Sequence, residues 1–335
     1  MSAMIHRLSL RSAHITLGVW LATIGATSNA QSFDLEQFDQ LFRPRLRVDA
    51  RWTPGTPFSE APGSFEDRSG TAGFTVPIHK KWTAALELDL TSDSWKDLLK
   101  NSIRIRASQV MLSGRYQYRD LRWGGDPRQF HGASLGALGI SLTKKYRVLF
   151  WSANVNVSEE STTMDRARPR FNGVIGKMKV MGLRRQLFYG LTATLSDGLN
   201  LPVPFVGGVE PIGKRWTFQY LLPLQVGVGY KPGKRTRLLA GIGVDGFRSG
   251  SASGEDRVNI NYTALRGFVH VRHKLSNTLQ LRAEVAGLPV HAIRSPDQTG
   301  EQQRLPIEPG SSVMVGINVL FGQSMLERLL GEVLR

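Results

Sequence analysis

Along residues 82–90 every even position is apolar: Trp82, Ala84, Leu86, Leu88 and Leu90. The odd positions Thr83, Glu87 and Asp89 are polar, with Ala85 the exception. Period two places successive side chains on opposite faces of a β-strand, one greasy and one wet. The same alternation recurs in at least eight segments. In residues 43–52, Leu46, Val48, Ala50 and Trp52 oppose Arg45, Arg47, Asp49 and Arg51. In residues 149–158, Leu149, Trp151, Ala153, Val155 and Val157 oppose Ser152, Asn154, Asn156 and Ser158. Residues 187–195, 278–285 and 313–321 repeat the scheme. From Trp216 to Tyr230 every even residue is apolar, and the row begins and ends in aromatics, as expected of one strand crossing a bilayer between two aromatic girdles.

Two segments change phase. Ala133, Leu135 and Ala137 give way to Leu138, Ile140 and Leu142, and Val258, Ile260 and Tyr262 give way to Val269 and Val271. One-residue slips near Gly136–Gly139 and Gly267 read as β-bulges. Residues 143–145, 181–183, 231–234 and 274–277 read as tight hairpin turns. Residues 52–71, 158–170, 248–257 and 291–311 read as long polar loops rich in Gly, Pro or Ser. Short turns at one end and long loops at the other fit a bacterial outer-membrane barrel. Segments 104–118 and 201–209 are ambiguous, which leaves about 12 strands in a range of 10–14. Residues 31–42 and 323–335 show helical spacing, the second through Met325, Leu326, Leu329, Leu330 and Val333. The second is expected to lie on the membrane surface or cap the periplasmic mouth.

The N-terminus turns this from a sheet into an exported sheet. Arg7 and Arg11 precede a mostly apolar stretch, residues 15–26, too short to span a bilayer, and Ser28-Asn29-Ala30 supplies small residues for cleavage near Ala30. The expected organisation is a signal peptide over 1–30, an N-terminal segment over 31–42, an antiparallel transmembrane β-barrel over 43–322 and an amphipathic helix over 323–335. No apolar run beyond the signal approaches the ~20 residues of a membrane helix. The absence of cysteine excludes a lipid-modified N-terminal cysteine, disulfides and thiolate metal sites. The formal net charge is +16. Export removes nucleic acid as a partner. It leaves outer-membrane lipid and lipopolysaccharide, the barrel-assembly machinery and a small anionic solute as the expected partners.

On a barrel the charged row faces the lumen and the apolar row faces lipid. The lumen candidates are Arg45, Arg47, Asp49, Arg51, Glu87, Asp89, Arg104, Arg106, Arg237, Asp245, Arg282 and Glu284. Trp52, Trp82, Trp151, Trp216, Tyr230 and Phe321 are the candidate membrane-interface aromatics. Unpaired, the arginines favour anions; paired with the carboxylates, they only fill a closed lumen. His131 and Ser134 lie three residues apart, the pair an outer-membrane lipid hydrolase would need. No metal-ligand spacing, P-loop or nucleophile elbow occurs, and no cofactor is expected. His270 and His273, three apart on a strand, fall on opposite faces.

Pro204-Phe205-Val206-Gly207-Gly208, followed by Trp216, Leu222-Pro223 and Tyr230, resembles an uncharacterised Gram-negative outer-membrane β-barrel family with a domain of unknown function. The resemblance runs through Phe321 and implies a barrel and an envelope location. It implies no catalytic residue. The expected function is a porin-like passive channel, with a structural barrel of filled lumen and a lipid hydrolase as alternatives.

Overall fold

The computed structural model describes residues 43–86, 103–123, 126–142, 147–160, 167–181, 185–195, 202–253, 256–296 and 302–322. The expected signal peptide, N-terminal segment and C-terminal helix lie outside the described residues, as do Glu87 and Asp89. The side chains of Trp82, Arg104 and Arg106 also lie outside them.

The chain is all-β. Its strands are β1 (Arg45–Pro57), β2 (Ser64–Leu86), β3 (Ile103–Trp123), β4 (Asp126–Leu142), β5 (Arg147–Glu159), β6 (Arg170–Val180), β7 (Gln186–Leu195), β8 (Pro202–Pro211), β9 (Trp216–Leu222), β10 (Gln225–Tyr230), β11 (Thr236–Ser253), β12 (Asp256–Lys274), β13 (Leu279–Pro296), β14 (Gln302–Ile307) and β15 (Gly310–Leu320). Successive strands pair antiparallel from β1 to β13, β13 pairs with β15, and β15 returns to β1. The result is a closed barrel of 14 strands rather than about 12. β14 is outside the ring: it pairs with the far end of β13 and continues the line of β15 in unbroken register, His291 facing Ile307 and Leu288 facing Gly310. The two ends of the described chain meet at one rim, where Arg43 Nε donates to the Gly322 carbonyl at 2.9 Å.

The segments left ambiguous, 104–118 and 201–209, are strands β3 and β8, and one further strand comes from a segment that hid a turn. Residues 216–230 are not one strand but the β9–β10 hairpin, closed at Pro223 and Leu224. Leu224 N–H donates to the Leu221 carbonyl at 2.6 Å, while Pro223 has no N–H to offer a ladder. Facing residues pair even with even (Val226 with Tyr220, Val228 with Phe218), so the alternation runs through the turn unchanged. Trp216 and Tyr230 therefore sit side by side at one rim, ring centroids 4.3 Å apart, and not at two opposite girdles.

The pleat then sorts the sequence. Leu46, Val48, Leu135, Ile175, Leu191, Ile242, Val285, Val315 and Ile317 all stand on the outside and are exposed. A continuous apolar belt of this extent is a lipid-facing surface. Asp49, Arg266, His270, Arg282 and Glu284 stand on the inside and are buried. The expected bulge near Gly136–Gly139 is absent, since β4 keeps continuous register with both β3 and β5. Leu138 and Ile140 are apolar because they face inward, onto Met111, Val148, Met178, Phe188 and Val209. At Gly267 the register does shift against β13, where three steps on β13 (Gly287 to Val290) oppose two on β12 (Gly267 to Leu265). The extra residue belongs to β13. Ile260 and Tyr262 keep the inward phase of Arg266 and His270 throughout.

The expected long loops are largely strand. β1 runs to Pro57 and β2 begins at Ser64, β11 and β12 extend to Ser253 and Asp256, and β14 fills much of 291–311. These far ends do something the ring alone does not predict. Gly250 of β11 forms a parallel bridge to Glu159 of β5, and Glu160 N–H donates to the Gly250 carbonyl at 3.1 Å. Ser158 and Ser249 share a hydroxyl hydrogen bond of 2.7 Å, and Arg170 Nη2 donates to the Arg248 carbonyl at 2.7 Å. Above Gly243, β11 is thus drawn inward and buried on both faces, whereas Ile242 below is 60% exposed.

This contact closes a smaller far ring through β1–β5, β11–β13 and the β14–β15 line. Phe65, Leu121, Phe130, Ile260, Tyr262 and Ile293 fill its interior. Phe65 stacks on Tyr262 with centroids 5.1 Å apart. The arc β6–β10 belongs only to the wider near ring. Its β9 and β10, of 7 and 6 residues, are shorter than the roughly 9–11 residues of a typical spanning strand.

Candidate functional site

Between the apolar packing of the two rings lies a chamber of about 320 Å³ on the β1–β7 side of the lumen. Two chemically different walls enclose it. Arg45 and Arg47 from β1 and Arg115 from β3 form a guanidinium wall, and Asn154 and Asn156 from β5 with Asn172 from β6 form an amide wall. Ser113, Ser134 and Thr192 add hydroxyls, and among the described residues no carboxylate lines the chamber. Pleat and glycine place these groups. Arg45 and Arg47 stand two apart on β1, hence on one face. Gly136 offers the facing strand no side chain: a Cβ there would lie 2.0 Å from Asn154 Oδ1. Asn172 Oδ1 accepts from the Thr194 hydroxyl at 2.8 Å, which ties the amide down at the chamber lining.

Among the described residues Arg45 and Arg115 form no ion pair. Arg47 Nε contacts Asp49, while its Nη2 is buried without a hydrogen-bond partner. Three cationic side chains thus meet one cavity with a single flanking carboxylate.

The opposite side of the lumen is neutralised. Glu284 is the hub: its Oε1 accepts from Arg266 and, at 3.3 Å, from Arg51, and its Oε2 faces His270 Nδ1 at 3.2 Å. Arg51 also pairs with Asp245, and Arg282 donates to Asp49 at 3.0 Å. Arg119 reaches Asp67 at 3.3 Å and lies over the Phe247 ring, 4.1 Å from its centroid. Gly316 makes room for this packing, because a Cβ there would sit 2.1 Å from Asp49 Oδ1. Charges this deeply buried persist because each has a partner.

The structure therefore divides the expected lumen set. Asp49, Arg51, Asp245, Arg282 and Glu284 belong to the paired network, and Arg45 and Arg47 belong to the chamber. Arg237 also follows the inward phase of β11. Arg115, Arg119, Asp67 and Arg266 stand beside these groups and were not among the expected lumen residues; His270 entered the sequence reading only as one of two histidines on opposite faces. The signal for Arg115 and Arg119 was present: they alternate with Tyr116 and Tyr118 on β3. Asp67 fell in a segment expected to be loop. Trp52, Trp151, Trp216 and Phe321 are exposed on the outer face, and Trp52 Nε1 donates to Glu66 at 3.1 Å.

The hydrolase pair is not assembled. Ser134 faces the chamber, whereas His131, three residues away, points to the other face and shares a 2.6 Å hydrogen bond with Tyr116. An odd spacing on an unbroken strand forbids the pairing.

No protein-family model matches the sequence, and no curated protein matches it. Solved structures that resemble it are Gram-negative barrels. The outer membrane protein Omp33 of Acinetobacter baumannii is 9% identical, covering 84% of this chain and 98% of that one, with a TM-score of 0.37. The β domain of the Bordetella autotransporter Brka is 10% identical over 83% of this chain and 99% of its own, with a TM-score of 0.33. The Pseudomonas putida toluene transporter TodX is 10% identical over 84% and 90%, with a TM-score of 0.26.

Proposed function

We propose that this protein is a porin-like passive channel of the bacterial outer membrane that favours small anionic solutes. In this reading it is exported by a signal peptide cleaved near Ala30. It is inserted by the barrel-assembly machinery into outer-membrane lipid and lipopolysaccharide, with its short turns toward the periplasm. The observation that carries the reading is the chamber itself: Arg45 and Arg115 face it without an ion-pair partner among the described residues, and Arg47 lines it beside them. Evolution of a merely filled lumen favours pairing such charges, as on the Glu284 side. Solute reaching the far surface passes beside the inward fold of β11, over the short β9–β10 wall, because the smaller far ring is packed.

Planar-bilayer recording tests this. In a KCl gradient the reversal potential should report anion preference, and joint replacement Arg45→Gln and Arg115→Gln should reduce it. A cation preference in the unmodified protein refutes the reading. A second reading, a structural barrel, is supported by the aromatic packing of the far ring; absence of conductance at every voltage selects it.

A further inference from the structure

We propose that the chamber is a saturable binding site for a sugar-sized polyol carrying one anionic group, a carboxylate or a phosphoryl group. The inference deepens the channel reading by naming the solute class, and it rests on that reading only for the solute's passage. A chamber built for simple anion flux would need only the cationic wall. Here the guanidinium wall of Arg45, Arg47 and Arg115 continues along the same arc of strands into a separate wall of Asn154, Asn156 and Asn172, with Ser134 between Arg115 and Asn156. The first wall matches an anionic head, since guanidinium groups pair with carboxylate and phosphate oxygens in a forked geometry. The second offers both donors and acceptors, which is what a hydroxyl requires from each neighbour.

Asparagine is a poor residue for strands, so three of them on adjacent inward positions are not explained by β-propensity. Gly136 and Thr194 hold two of the three amides in place. The volume of about 320 Å³ stands at the low end of ligand cavities, about 300–1,000 Å³, which suits one sugar unit and excludes an oligosaccharide. Among the described residues no carboxylate lines the cavity to repel the head group, and the hydroxyls of Ser134 and Thr192 extend the polyol side.

Isothermal calorimetry on the detergent-solubilised full barrel tests the proposal without requiring conductance. The probes are sodium glucuronate, glucose 6-phosphate, glucose and sodium acetate. Glucuronate or glucose 6-phosphate should bind saturably, at least tenfold more tightly than glucose or acetate. The tighter of the two assigns the anionic group. Arg115→Gln should weaken that binding tenfold or more. Asn154→Leu and Asn172→Leu should weaken it similarly while keeping the parent's far-UV circular dichroism, a result that loss of fold would not give. Equal binding of acetate, or amide variants that bind as well as the parent, overturns the proposal. A barrel that binds glucuronate but never conducts refutes the channel and leaves the site standing. One that conducts anions but binds neither sugar acid nor sugar phosphate refutes the site alone.

Discussion

Glu284 carries the largest single electrostatic responsibility in the barrel, and its replacement by glutamine is the sharpest test of the paired side of the lumen. The change is nearly isosteric, so cavity formation contributes little. Both carboxylate oxygens are used: Oε1 accepts from Arg266 and Arg51, and Oε2 faces His270 Nδ1. Arg272 Nε donates to His270 Nε2 at 3.2 Å, so that ring nitrogen accepts and Nδ1 carries the proton. A carboxamide has only one acceptor end. Either orientation of the introduced amide turns its NH2 group toward a donor, His270 on one side or Arg266 on the other. Arg51 retains Asp245, but Arg266, 1% exposed, loses its principal anion. Breaking a buried pair by removing one partner costs about 3–5 kcal/mol. Urea unfolding of the reconstituted barrel, followed by tryptophan fluorescence, should show a loss of that size for Glu284→Gln. The double variant Glu284→Leu with Arg266→Met should lose less than the sum of its singles, because it removes both buried charges. A Glu284→Gln barrel within about 1 kcal/mol of the parent would show that water or a shifted side chain solvates Arg266, and the paired network would not be structural.

Val315 stands midway along the outer row of β15, between Ala283 and Ala50 on its neighbours, and is 56% exposed. Val315→Arg should cost about 2–4 kcal/mol in a bilayer, whereas Ser311→Arg, near the edge of the belt, should cost about 0–1 kcal/mol; equal costs in a urea titration would place the lipid elsewhere. Phe65, fully buried in the far ring, should cost about 3–5 kcal/mol on replacement by alanine, while the current in bilayers stays at the parent's level because solute passes outside the packed ring. A raised current would place the route through the far ring. Gly316→Ala should displace Asp49, leaving Arg282 without its carboxylate, and lower the urea midpoint although only one methyl is added; a midpoint equal to the parent's would show that β1 and β15 yield at no cost.

What the sequence made legible was the pleat. Alternation in 43–52 located β1 and put Arg45, Arg47, Asp49 and Arg51 on one face and Leu46 and Val48 on the other, and burial alternates in the same phase along the strand. Alternation is blind to two things. It cannot see a turn that preserves parity, so 216–230 read as one strand until the pairing of Val226 with Tyr220 showed a hairpin. It also equates apolar with lipid. Leu138, Ile140, Ile260 and Tyr262 are apolar and face inward, where they pack against one another in the two closed zones; the apparent slip in β4 was a change in what the lumen contains, not in the strand.

The chamber was half legible for a related reason. Arg45 and Arg47 share a strand with an unmistakable phase, but Arg115 and Asn172 reach the same cavity from strands far apart in sequence, and only closure of the ring brings them together. Nor does a local pattern announce that Gly250 will leave the wall to meet Glu159. That contact decides the character of the molecule. It divides one lumen into a packed far ring and a wider near ring, and thereby gives the arginines two different fates. Those beneath the inward β11 are enclosed and must be neutralised, as Arg51 is by Asp245 and Glu284. Those facing β5 and β6 border open volume. Arg51 and Arg47, four residues apart on one face of one strand, differ because Arg51 meets Asp245 of the inward β11 and Glu284 of β13, whereas Arg47 meets Asp49 of its own strand.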